Sequence, residues 1–256
     1  MKDEIGLFRK ILFVDMKRAF THPRLYVSII GVTISIYFAL QDSLVHSIRR
    51  NNDLRYLMAI NLAGFVVSFV FCSIPYSTVL CEDLQDRYIR PMVIRCTIRK
   101  YVLSKVITAY ISAVAVMVIG TQIFLCIDAI TAKEQFLDPG HFQAGCYGLL
   151  VQTGHISFYS FITSLQQGML AGTLVVAAMY VSLFTINKAA ILSSPLIMYQ
   201  LLSALRGGGL SILSFSPTTK GFEQDWQNAV AVCALSFIPV IILTFFIERE
   251  VEKRIC

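Results

Sequence analysis

The densest set of reactive side-chain types in this chain is Cys81–Tyr101, CEDLQDRYIRPMVIRCTIRKY, which holds three acids (Glu82, Asp83, Asp86) and five bases (Arg87, Arg90, Arg95, Arg99, Lys100). Tyr88, Ile89, Pro91, Met92, Val93 and Ile94 add apolar surface that a solvated linker does not need. Mixed charge beside an apolar knob is suited to recognition rather than bond chemistry. Glu82 to Arg90 is expected to form a short helix, with Glu82 and Asp83 favourable in its first turn and Arg90 in its last. Pro91 ends it, because the residue before a proline is driven out of the helical region. Arg95 to Lys105 then suits a stretch lying along lipid phosphates. The alternative is a solvated loop whose bases only set membrane topology.

Other sources of chemistry are thin. No G-x-x-x-x-G-K-[ST] loop occurs, so the chain is expected to bind no nucleotide through a phosphate loop of its own. The run Gly207-Gly208-Gly209 has no following lysine and reads as a bend. Intramembrane hydrolysis wants a Ser–His or Asp–Asp pair at membrane depth. Here Asp42 and Asp128 stand at the ends of apolar runs and His155 in a loop. The seven cysteines (72, 81, 96, 126, 146, 233, 256) make no C-x-x-C pair and no Cys/His metal spacing. They fit reduced or lipid-buried thiols better than a disulfide framework. No metal and no cofactor of this chain's own is expected.

The elements that must position the charged segment are membrane helices. The chain is 56% apolar and 15% charged with a mean hydropathy of +0.67, where soluble domains carry about a quarter charged residues. A net charge of +6 would suit nucleic acid, but the bases flank apolar runs, which points to lipid and topology instead. A span needs roughly 20 apolar residues. Six are expected: 25–45, 57–80, 102–127, a fourth from about 161 to 186, 189–205 and 226–247. Residues 145–160 are expected to be an interfacial or re-entrant piece broken at Gly148, Gly154 and His155. Residues 1–23 form a separate amphipathic unit. Ile5, Phe8, Leu12, Met16 and Ala19 recur at helical spacing, as on a helix lying in the interface or packed on another protein. The six-span unit is 24–256, with the charged loop at about 81–101. Of the 22 Lys and Arg, all but Arg49, Arg50, Arg55, Lys133, Arg206 and Lys220 fall on the side of the N-terminus. That places both termini in the cytoplasm, and the charged start predicts no cleaved signal peptide.

Glu82 to Lys105 resembles the cytoplasmic loop of ABC-2 type transporter permeases. In that family an acid closes span two, a short coupling helix follows, and an R…(S/T)-x-x-(K/R)-Y-x-x-S-K stretch opens span three. Arg95, Thr97, Lys100, Tyr101, Ser104 and Lys105 match that stretch. Phe184 to Tyr199, FTINKAAILSSPLIMY, resembles the turn between spans four and five, and Phe215-Ser216-Pro217 the loop before span six. The glycine often found after the acid is missing, with Asp86-Arg87 near its place. The resemblance implies an all-α, type V exporter transmembrane domain of six helices per subunit. Two subunits would form the transporter, as a homodimer or a heterodimer, each above a cytosolic ATPase chain that holds ATP and magnesium. Glu82, Asp83, Asp86, Arg87, Tyr88, Ile89 and Arg90 would seat in a groove of that ATPase.

It also implies that spans two and five line the route. Asn61, Phe65, Ser68 and Phe69 on span two, and Ser193, Tyr199, Gln200 and Ser203 on span five, place sparse polar groups among aromatics. The same residues equally suit helix–helix packing. The texture resembles bacterial subunits that export amphipathic peptides of the phenol-soluble modulin or lantibiotic kind, acting in the plasma membrane. Efflux of a hydrophobic drug-like molecule is the rival within the class. A membrane scaffold that recruits a cytosolic partner and moves nothing is the rival outside it.

Overall fold

A computed structural model describes residues 2–44, 63–86, 96–131, 146–153, 155–204 and 225–255. These residues are helices and short turns, with no strand among them. α1 is Lys2–Thr21 and α2 is Pro23–Leu44. The chain bends only at His22 between them, and Pro23 takes the first position of α2, where its missing N–H costs nothing. A 3₁₀ turn, Ala63–Val66, runs into α3, Val67–Ser73, and α4 follows at Val79–Gln85. α5 is Ile98–Thr131, α6 is Gly148–Gln152, α7 is Ile156–Val181, α8 is Lys188–Ala204 and α9 is Asp225–Ile255.

Among the described residues, four helices are long and apolar enough to cross a membrane: Pro23–Leu40, Ile98–Asp128, Ser157–Val181 and Asp225–Arg254. They give the chain its transmembrane character. The other two expected spans differ. The second is interrupted between Ser73 and Val79, around Pro75, so its described part is two short helices rather than one long one. The fifth, α8, has 17 residues before the described segment ends, with Pro195 inside it. The fourth begins at Ile156, earlier than expected, and ends at Val181 with a turn over Ser182–Phe184. Gly168 and Gly172 do not weaken it, because packing takes up the space they leave.

α7 is the central helix: 78% of its apolar span is buried within the chain, against 22% for α9. α5 and α7 pack most closely, where small residues let backbones approach. A Cβ on Gly172 would lie 2.7 Å from the Tyr110 ring, and one on Gly168 3.3 Å from the Val114 backbone. On the other side of α5, a Cβ on Gly120 would lie 2.8 Å from Val32 Cγ1 and 3.2 Å from the Ile29 carbonyl oxygen. There Thr33 Oγ1 donates a hydrogen bond to the Gly120 carbonyl at 3.0 Å. Gly120→Val is therefore expected to destabilise the protein by about 1–3 kcal/mol through overpacking. Gly6→Val, in open space, should leave the thermal transition in detergent where it was; equal melting of the two variants would contradict this packing.

Two ends of the bundle carry polar ties. At one, the Tyr147 N–H donates to Asp225 Oδ1 at 3.0 Å, and Gln166 Nε2 donates to the Tyr147 hydroxyl at 2.9 Å. α6, α7 and α9 are thereby joined. The other end, where α1, α4 and the starts of α5 and α8 meet, carries most of the buried charge.

Candidate functional site

α1 brings Asp15 to this end. Its buried edge includes Ile11, Asp15 and Ala19, one turn apart, while Phe13 and Val14 stay exposed. Asp15 is only 6% exposed. An acid on the packed stripe of an amphipathic helix needs a cation, because a desolvated carboxylate alone costs several kcal/mol. α5 supplies it. Lys105 is 2% exposed and reaches Asp15 Oδ1 at 2.9 Å and Asp83 Oδ2 at 3.0 Å. Its third donor direction is toward the Tyr76 hydroxyl, 3.4 Å away. The ammonium thus has hydrogen bonds to Asp15 Oδ1 and the Tyr76 hydroxyl and an ion pair with Asp83. Its charge also lies 5.7 and 5.3 Å from the ring centres of Tyr76 and Tyr101, within cation–π range.

The carboxylates are equally well satisfied. Asp15 accepts from the Tyr76 hydroxyl at 3.0 Å and from Ser104 Oγ at 2.6 Å. Asp83 accepts from the Tyr101 hydroxyl at 2.6 Å and from Arg18 Nη1 at 3.4 Å. Two acids from α1 and α4, one lysine from α5 and one arginine from α1 balance in charge. Sealed and satisfied, the network has nothing to offer as a nucleophile. It clamps three segments that are far apart in sequence, and networks of this kind fix one arrangement because every partner is needed.

Glu82, beside it, faces outward. It accepts from Arg24 at 3.1 Å, from Lys188 at 3.1 Å and from Thr78 at 3.3 Å, joining α2 and α8 to α4. Burial pushes the Glu82 carboxyl up, but the hydrogen bond from Lys188 and the charge of Arg24 outweigh it, so its pKa is lowered. For Arg18, burial works against the charge, while Asp83 in front of it raises the pKa overall. The native state with Glu82 ionised binds fewer protons than the unfolded chain. Its contribution is therefore complete above the ordinary glutamate value of 4.5 and is lost as pH falls through the lower, folded value. Partly exposed pairs of this sort are worth about 1 kcal/mol or less. Thermal stability in detergent should fall below about pH 5, and Glu82→Gln should remove part of that fall. An identical acid profile for Glu82→Gln would show that the pairs contribute nothing.

The sequence-predicted coupling residues are thus placed unequally. The helix bearing Glu82 and Asp83 starts at Val79 and ends at Gln85, earlier than the expected Glu82–Arg90. Its Asp83 points into the clamp, Glu82 is half-buried in a second tie, and Asp86 is exposed at the helix end. Arg87, Tyr88, Ile89 and Arg90 lie outside the described residues, as does Asn61.

The expected route residues also divide. Phe65, Ser68 and Phe69 are packed inside the chain, with Ser68 Oγ donating to the Phe65 carbonyl at 2.6 Å. Ser193 and Gln200 on α8 are exposed, Ser203 is half-buried, and the two serine hydroxyls donate to carbonyls of their own helix. The half-buried Tyr199 ring lies 4.9 Å from that of Phe69, so α3 and α8 do meet there.

Sequence reasoning overlooked Asp15 and Tyr76 as site residues, and saw Lys105 only as part of a motif. A signal existed: Asp15 follows Ile11 by four residues on an otherwise apolar edge, and Lys105 follows Tyr101 by four on α5. Compared with protein-family models, curated proteins and solved structures, the chain matches none.

Proposed function

We propose that this chain is the membrane subunit of an ATP-driven exporter of the ABC-2 permease kind, moving amphipathic peptides with energy from a separate cytosolic ATPase. In that reading the clamped end faces the cytoplasm of a bacterial cell, residues 57–80 and α8 complete six spans, and two subunits assemble around the route. ATP and magnesium belong to the ATPase, and this chain carries out no hydrolysis itself.

The observation that carries the reading is Lys105 bridging Asp15 and Asp83. A loop that receives force needs a stiff mount on both sides. The segment 87–95 begins four residues after Asp83 and ends three residues before α5, whose Tyr101 and Lys105 hold that same carboxylate. A push on the loop would therefore move α1, α4 and α5 together instead of bending one helix. Glu82 would extend the motion to α2 and α8 through Arg24 and Lys188. Coupling of this type works when the partner contacts one arrangement better than another.

The position of the clamp also revises the division of labour in the loop. Asp83 serves the mount, while Tyr88, Ile89 and the flanking arginines are left for the partner. The test is to look for an ABC-type ATPase encoded beside this chain and to co-express the two, followed by affinity capture through a tag on α9. A stable complex is expected. If the ATPase is never retained in detergent or in membranes, the scaffold reading takes its place.

A further inference from the structure

The elbow between α1 and α2 has a feature that the clamp does not use. A cleft of about 70 Å³ opens there, with Arg18, His22 and Arg24 on one side and Tyr76 and Glu82 on the other. At about 10–15 Å³ of such space per held water, it has room for a group of several small atoms, enough for one phosphate. We propose that it binds an anionic phosphate, supplied in the membrane by the headgroup of an acidic phospholipid.

Three observations lead there. The first is spare donor capacity. Arg18 and Arg24 each commit Nη1 to a carboxylate, Asp83 and Glu82 respectively. No hydrogen bond is found for their Nε and Nη2 groups among the described residues. Their side chains are 45% and 37% exposed, unlike the sealed Lys105 at 2%. Two planar guanidinium forks on one small cleft match the oxygens of a phosphate better than a single carboxylate.

The second is charge. Arg18, Arg24, Lys105 and Lys188 are four cations set against three acids, Asp15, Glu82 and Asp83. Glu82, the acid that lines the cleft, already shares its charge with Arg24 and Lys188. The surplus is positive, and His22 adds further N–H donor capacity at the elbow.

The third is depth. α2 is apolar and long enough to cross a bilayer from Pro23. The break at His22 between it and amphipathic α1 therefore falls at the level of the lipid phosphates, where cationic side chains meet acidic headgroups. A phosphate held there would bond α1 and α2 from outside the clamp. This inference does not depend on transport: a lipid site can be present whether or not the chain moves a cargo.

The test is native mass spectrometry of the purified full chain in detergent, titrated with phosphatidylglycerol, with phosphatidylcholine and, separately, with inorganic phosphate. Phosphatidylglycerol is expected to be retained preferentially. Each charge-assisted hydrogen bond lost should weaken it about tenfold. The variant Arg18→Gln/Arg24→Gln should thus lose that preference, and Arg249→Gln on α9 should keep it. Because the double variant also breaks two ion pairs, His22→Glu provides a second probe that puts an acid in the cleft and leaves those pairs in place; it too should lose the preference. Equal retention of both lipids by the parent, or an unchanged preference in His22→Glu, would overturn the site. Competition of millimolar inorganic phosphate with phosphatidylglycerol, dependent on the same arginines, would confirm that the headgroup phosphate is what the cleft holds.

Discussion

Lys105→Met is expected to be the most damaging single substitution at the clamped end of the bundle. It retains much of the side-chain volume and deletes the charge, leaving Asp15 and Asp83 buried with no ammonium between them. Removing one member of a buried ion pair costs about 3–5 kcal/mol, chiefly because the remaining charge stays desolvated. Here two acids lose the ammonium at once, Asp15 its one ion-pair partner among the described residues and Asp83 all but Arg18 at 3.4 Å, and Tyr76 loses its donor as well. The expected result is a large drop in the thermal transition of the purified protein in detergent, with early proteolysis at α1. Lys105→Met/Asp15→Asn/Asp83→Asn should recover part of the loss, since the amides need no counter-charge. A single variant that melts like the parent would mean that the clamp does not hold the fold. Failure of the triple variant to improve on the single would place the cost in packing rather than charge.

The second large effect is on partnership rather than stability. On the proposed function, Tyr88→Ala/Ile89→Ala deletes two large apolar side chains from the segment offered to the ATPase and leaves Asp83, Tyr101 and Lys105 in the sequence. Buried aromatic anchors at interfaces are commonly worth 2 kcal/mol or more, which is about thirtyfold in affinity. Retention of the ATPase in affinity capture should fall by about that factor while the thermal transition stays within about 0.5 kcal/mol of the parent. Asp83→Ala is the contrasting case. It is expected to lower stability and complex formation together, because its carboxylate holds Tyr101, Lys105 and Arg18. If Tyr88→Ala/Ile89→Ala retains the ATPase fully, the loop is not the docking element.

How much of this was legible beforehand can be followed residue by residue. The long apolar helices were, because runs such as 102–127 have no alternative to burial or lipid, and α5 covers that whole range. The break at Pro23 was also legible, since proline there both ends α1 and starts α2. The interruption at Ser73–Val79 was not, although Pro75 stood inside the last third of the expected span; apolar residues continue through it, and hydropathy is blind to a backbone turn. The early start of α7 was hidden because Gly154 and His155 look like breaks of an interfacial piece running to 160, whereas the helix begins directly after them at Ile156. At the site, local sequence marked Glu82 and Asp83 as charged ends of a helix but not which would face inward. That choice is made by Lys105 and Asp15, some 20 and 70 residues away in the sequence, and long-range pairing of this kind leaves no local signature. What single-sequence pattern did offer was an acid on an apolar stripe and a lysine one turn after a tyrosine.

The central claim is that force from a separate ATPase enters through the loop mounted on this clamp. The deciding experiment is the ATP turnover of this chain co-purified with an ABC-type ATPase found encoded beside it, with and without an amphipathic helical peptide, for the parent and for Tyr88→Ala/Ile89→Ala. The account predicts turnover that rises with peptide in the parent and loses that rise in the variant. A peptide response that survives the loss of Tyr88 and Ile89 would contradict it.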